Sequence, residues 1–446
     1  MGSAAGTREE IARLFGRAAF GATAADLDAW TGRPYADAVS SLLDFPPLGD
    51  RGAAADDTQR AGIERLGQNG TNAEAVRPAV KWWLERMRTT KYPLEERMTL
   101  FWHGHFATAL RYPFPDVAML MGQNQTLRRH ALGNFRSLTR DITVDPAMME
   151  WLNGSQNSIP APNENYAREL LELFTLGKFP QVYAENDVRE AARVLTGWTT
   201  DTGFRTTKFN AAGHDTGSKT VLGAVIGNEG ASEYHHLIDV ALAQPVSPRF
   251  LAAKLVANFA YQPDFTNLLT RPDPLVAAVA DTLRATDWDI RSAMRTLLLS
   301  DEFRSGDAGA SRLLVRQPVE LAVAAGKALG VSLDVTDVVY ALSRMNQDLF
   351  GPPNVGGFPM GLGWLSPSTV LGRYELASVI AGRKPSGLPS SGDLDGFARR
   401  LGVAGWSAET VSGVQGYLAE SAKLPEDYKQ ASVLILLLTS PDWAVI

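Results

Sequence analysis

Two runs hold side chains that could do chemistry together. Phe101-Trp102-His103-Gly104-His105-Phe106 places two imidazoles two positions apart. The stretch from Asn163 to Glu172 carries Glu164, Glu169 and Glu172 with Arg168, Asn163 and Asn165. Imidazole plus carboxylate is a donor set for a first-row transition metal, and a carboxylate beside arginine can serve as a general base. If residues 95–106 are helical, Met98, Phe101, Trp102 and His105 fall at i, i+3, i+4 and i+7, so His105 lies on a buried stripe. His103 then points about 200° away. Both rings reach one ion only if the helix breaks, and Gly104 is where it would. On an unbroken helix His105 is a core histidine bonded to a carboxylate, and His103 lies near the surface.

At helical spacing, Tyr166, Ala167, Leu170, Leu171, Leu173 and Phe174 share one face, and Glu164, Asn165, Arg168, Glu169, Glu172 and Thr175 share the other. Glu164, Arg168 and Glu172 follow at i, i+4 and i+8, an ion-pair ladder. Left in solvent, this is an ordinary polar face. Covered by another layer, its carboxylates need a cation or a metal. The next amphipathic segment turns Arg189 and Arg193 away from Val188, Ala191, Ala192 and Leu195. Surface pairing with Glu185 and Glu190 is the plain use of those arginines. Binding the acidic helix or an anionic substrate is the functional one. His214-Asp215 lies in a loop, where functional groups often sit.

The elements that must position these groups are mostly helices. Thr7 to Glu10 has capping-box spacing ahead of Ile11, Leu14, Phe15 and Ala18. Amphipathic segments recur along the chain, bounded by Gly, Pro, Asp or Ser. The pattern predicts a mainly α protein with a large bundle-like body. A short β-hairpin or loop insertion is expected around 199–231, pairing 203–209 with 219–226. The expected organisation is N-terminal helices over 1–45 and a mobile loop over 46–72. A main domain with the candidate site follows over 73–383, then a linker at 384–393 and C-terminal helices over 394–446 packed on the main domain. Residues 297–303 and 436–443 echo each other faintly.

Composition narrows the classes. Net charge is −6 over 446 residues with no basic cluster, which argues against nucleic acid. No cysteine is present, so disulfides, thiolate catalysis and Cys-ligated zinc are excluded. No apolar run is long enough to span a bilayer. No export signal is visible at the start, so the chain reads as cytoplasmic as written, or exported if a signal segment was removed. Serine-hydrolase, P-loop and zincin signatures are absent.

The motifs together resemble a bacterial family catalogued as domain of unknown function 1800. The resemblance rests on Phe101 to Phe106, Asp145 to Met148, Asn163 to Gly177, Asp187 to Trp198, His214 to Gly223, and Pro352 to Pro359 with Trp364. It implies a helical fold and one convergent site. It also implies frequent export, and a sulfatase-like protein encoded nearby as a possible partner. Many members carry His at Phe174 and Trp at Phe358, so Phe174 supplies no ligand here. The expected activity is that of a metal-dependent enzyme, an oxidoreductase ahead of a hydrolase, acting on a small molecule. His103 and His105 would join Glu164 or Glu169 as ligands, with His214 in reserve. Arg168 and Arg193 would orient carboxylates or substrate. Iron or copper is preferred to zinc, and haem on His105 is a further possibility. The alternative is a non-catalytic scaffold whose polar helix is a structural ion-pair network.

Overall fold

Local capping starts the chain as its sequence requires. The Thr7 hydroxyl accepts from the Glu10 amide at 3.2 Å, and Glu10 accepts from the Thr7 amide at 2.8 Å. The helix Arg8–Ala18 behind this box buries Ile11, Leu14, Phe15 and Ala18. The computed structural model describes residues 4–46, 55–69, 72–111, 113–178, 181–203, 205–305 and 314–446. Helices dominate these residues, and two antiparallel two-stranded sheets are the only β-structure in named strands. None of the described helices is long and apolar enough to cross a membrane.

The β-insertion is two hairpins, not one. Trp198–Asp201 pairs with Thr206–Phe209, and Lys219–Val221 pairs with Ala224–Ile226. Leu222 and Gly223 both have positive φ (51° and 80°), the geometry of a two-residue hairpin turn. The second strand pair therefore closes on itself and cannot pair with 203–209.

The expected loop at 46–72 contains a helix, Ala55–Asn69, packed on the helices Asn72–Thr89 and Val117–Arg129. Residues 47–54 and 70–71 of that stretch lie outside the described residues. The faint echo has a structural counterpart. Ser300 and Ser440 each end a helix in nearly the same extended conformation and begin a short one. Those short helices bury Phe303 and Trp443.

Two hydrophobic cores form. One gathers the N-terminal helices with residues from Leu94 to Phe303. The other gathers Trp82, Trp83, Leu100 and Met119 with residues from Val319 to Trp443, including Phe397 and Leu434 of the C-terminal helices. The helix Pro93–His105 runs between them. Met98, Phe101 and Trp102 face the first core and Leu100 the second. Apart from Pro93 and Gly104, every residue of this helix is buried.

Candidate functional site

The burial of this helix on both sides decides the fate of the histidine pair. The helix runs unbroken through Gly104 to His105. Its two rings therefore point into different cores. His105 Nε2 lies 3.1 Å from the Phe174 carbonyl and donates to it. Phe101, Trp102, Phe106, Phe135 and Phe174 surround the ring. Burial first, then the nearby Lys254 ammonium, push His105 well below the usual imidazole range, so it is neutral. With Nε2–H committed, Nδ1 is a bare acceptor, and it is buried with no hydrogen-bond partner. His103 is buried as well, not near the surface. Its Nε2 accepts from the Phe350 amide at 3.2 Å, and its ring packs against Trp83, Phe350 and Phe358. Burial lowers its pKa to about 4. The partner expected for His105 was a carboxylate. The structure supplies a backbone carbonyl from a helix's last turn instead.

That geometry is a π-turn. Asn165–Glu169 is α-helical, and Leu170–Thr175 continues as a π-helix. Tyr166, Ala167, Leu170, Leu171 and Phe174 are buried, as the spacing predicts. The wider turn rotates Thr175 inward, where its hydroxyl donates to the Leu170 carbonyl at 2.6 Å. A 100° periodicity placed Thr175 on the polar face because it assumed regular α geometry. π-turns are frequent at functional sites, and the Phe174 carbonyl near the end of this one meets His105.

The polar face is half-exposed, and most of its charges are paired. Arg168 contacts Glu164 at 3.1 Å and grips both oxygens of Glu185 at 2.8 Å. Glu172 takes Lys178 at 2.9 Å and the Tyr183 hydroxyl at 2.8 Å, so the predicted ladder stops at Arg168. The Glu169 side chain has no hydrogen bond or ion pair among the described residues. Burial, then Glu172, raise its pKa. Arg193 holds Asp215 through two bonds, at 2.7 and 3.1 Å, and Glu190 at 2.9 Å.

His214 turns inward, away from its neighbour Asp215. Its Nδ1 donates to the Thr196 carbonyl at 2.9 Å, and its Nε2 meets Glu233 at 3.0 Å. Lys219 meets the other Glu233 oxygen at 2.5 Å. The side chains of all three are buried, and the trio fastens the second hairpin to the helix Glu233–Leu242.

These groups do not converge. Among the described residues, no three His, Asp or Glu side chains lie close enough to share a metal ion. His103 and His214 answer to separate partners, and His105 meets the acidic segment through the Phe174 backbone carbonyl alone.

Sequence reasoning passed over the charges within the histidine helix itself. Glu96 is fully buried and accepts from Arg128 at 2.6 and 2.9 Å, from Arg86 at 2.6 Å and from Trp83 at 3.0 Å. Burial alone would raise its pKa, but the two guanidiniums outweigh it and hold Glu96 down to about 2. Arg97, next in sequence, is fully buried against Glu320. The available signal was Glu95-Glu96-Arg97 inside an otherwise apolar helix.

The irregular stretch from Phe350 to Trp364 seats on the same helix. A Cβ on Gly357 would lie 2.1 Å from the Gly104 carbonyl oxygen, and Gly357 has φ +86°. Only glycine fits this backbone-to-backbone contact. The two most distinctive motifs thus meet through Gly104, Phe350, Gly357 and Phe358. Beyond this contact the chain turns outward. Met360, Leu362, Leu365, Val370, Leu371 and Tyr374 are all exposed, Leu362 to 71%.

Comparison with curated proteins and comparison with solved structures both find no match. A family model described as protein of unknown function, DUF1800, matches residues 13–445. The chain whose histidine helix and glycine loop interlock in this way belongs to that family.

Proposed function

We propose that this chain works by binding a protein partner through the face from Met360 to Tyr374. The supporting observation is the density of exposed apolar side chains there, six within fifteen residues. Isolated exposed leucines are normal on soluble proteins, whereas a contiguous group marks an interaction surface. The face has a rigid base. The helix Pro367–Gly382 turns Leu376, Ala377, Ile380 and Ala381 into the second core and leaves Val370, Leu371 and Tyr374 outside. The histidine and acidic motifs then serve as framework, which suits the internal partners held by His103, Arg168 and Glu172. A sulfatase-like protein, suggested by the family resemblance, is the partner to test first. Purified wild-type chain is expected to bind it, and Leu371→Asp with Leu362→Asp should weaken binding at least about tenfold with little change in melting temperature, since both side chains are exposed. Absence of binding by the wild type would reject this partner.

A metal-dependent reaction, oxidative or hydrolytic, is a second reading with one observation in its favour. His105 Nδ1 is a buried lone pair without a partner. Elemental analysis and an absorption spectrum of untagged protein test it. Iron, copper, zinc or haem near one equivalent, lost in His105→Ala, would favour it. Metal-free, fully folded protein from metal-supplemented growth would dismiss it.

A further inference from the structure

A cleft of about 390 Å³ opens where four helices meet. Phe135–Thr143 brings Arg136 to it, Glu233–Leu242 brings Asp239, and Pro274–Ala285 brings Arg284, with Asp287 just beyond. The first turn of Val246–Phe259 supplies Pro248. None of the lining residues belongs to the face from Met360 to Tyr374 or to the histidine helix. The volume falls within the range of small-molecule sites, near its lower end.

The polar part of the lining is fixed by the protein itself. Arg136 donates to both oxygens of Asp287 at 2.8 Å and meets Asp239 at 3.0 Å as an ion contact. Arg140 donates to both oxygens of Asp239 at 2.8 Å. Each carboxylate is thereby held in place, and each has lone pairs left to accept further bonds. The Asp287 side chain is 71% exposed. Arg284 donates from Nη1 to Asp281 at 3.1 Å. A guanidinium carries five N–H groups, so most of them remain for a ligand. Gln244 adds an amide, which both donates and accepts.

The rest of the lining is apolar, with Leu242, Pro245, Pro248 and Trp288. Asp287 and Trp288 are consecutive residues with positive φ, 50° and 70°. Neither is glycine, so the turn is strained, and such strain gathers at ligand clamps. The Trp288 amide donates to the Leu283 carbonyl at 2.7 Å, and its carbonyl accepts from the Phe135 amide at 3.0 Å. The turn therefore holds a carboxylate and an indole side by side at the cleft.

Charge and hydrogen bonding decide the class of ligand. Two arginines and two aspartates line the cleft, so the lining does not favour an ion of either sign. Fixed donors and acceptors stand beside an apolar surface. The matching molecule is uncharged, carries groups that both donate and accept, and has an apolar face. A sugar ring has all three, because each hydroxyl donates once and accepts, and the ring C–H groups form the apolar face. We propose that this cleft binds a neutral saccharide of one or two rings. Its hydroxyls bond to Asp287 and Arg284, and its C–H face lies against the prolines and Trp288.

The test uses the full chain and ligand-observed NMR, in which saturation passes from the protein to a bound sugar. The probes are glucose, galactose, mannose, N-acetylglucosamine, maltose and cellobiose, with glucuronate, glucosamine and adenosine for comparison. The expected result is millimolar or tighter binding of at least one neutral sugar, with its ring C–H protons most strongly saturated. Arg284→Ala and Asp287→Gly should each weaken that binding at least about tenfold, since each removes hydrogen bonds to a charged group. Arg284 is largely exposed and glycine suits a positive φ, so both variants should fold, which melting temperature checks. Ala243→Trp, at an exposed position on the cleft, should fill it and abolish binding. Three results would overturn the proposal: no binding of any neutral sugar, tighter binding of a comparison compound, or binding that survives Ala243→Trp. None of them bears on partner binding by the outer face.

Discussion

Glu96→Gln is expected to destabilise the protein by about 3–5 kcal/mol, the cost of removing one partner from a buried ion pair. Glutamine is nearly the same size, so packing is kept and charge is lost. Arg128, fully buried, and Arg86 then face an amide that cannot neutralise them. The loss should depend on pH. Glu96 has a folded pKa of about 2 against an ordinary 4.5. A depressed carboxylate stabilises the fold above its unfolded pKa. That stability is lost as pH falls from about 4.5 towards about 2, and amounts to roughly 3 kcal/mol.

His103 acts in a neighbouring window. Its folded pKa of about 4 lies below the ordinary 6.5, so the unfolded chain takes up the proton first. Its neutral burial is fully tolerated above pH 6.5 and becomes costly as pH falls towards 4. Urea denaturation at a series of pH values separates the two. Glu96→Gln should keep the decline between pH 6.5 and 4.5, to which His103 and His105 both contribute, and make the one below shallower. An unchanged midpoint at pH 7 would show that the Arg86–Glu96–Arg128 cluster does not hold the two cores together.

Gly357→Ala is expected to lift the glycine loop from the histidine helix. The positive φ alone costs an alanine roughly 1–3 kcal/mol. The overlap with the Gly104 carbonyl at 2.1 Å cannot be relieved by a rotamer, because both partners are backbone. Phe350 and Phe358 pack against His103, so displacement should also expose that ring and Trp364. Faster amide exchange across residues 350–364 and a red-shifted tryptophan emission would report it. Gly356→Ala is the control. Its new Cβ would meet only the Asn354 side-chain oxygen at 3.0 Å, which can turn away. Equal exchange in the two variants would mean that the loop is not held at Gly357.

Much of the framework was legible without coordinates. Capping boxes, apolar stripes and the π-turn's buried face are short-range features, written in residues three or four apart. The hairpin register was misread because the Leu222-Gly223 turn competes with a longer pairing, and a two-residue turn closes with less loss of chain entropy. His103 was placed near the surface because one stripe was taken to define one buried side. A helix wedged between two cores has no outer side.

The helix bearing the two histidines, the acidic segment and the glycine-rich loop were therefore determined by sequence alone. Whether their charged groups meet was decided only in three dimensions. Glu96 finds Arg128, Arg97 finds Glu320, and His214 finds Glu233 across many intervening residues. Such pairings depend on how helices dock, and docking is driven by apolar area that is blind to which charge lies opposite which.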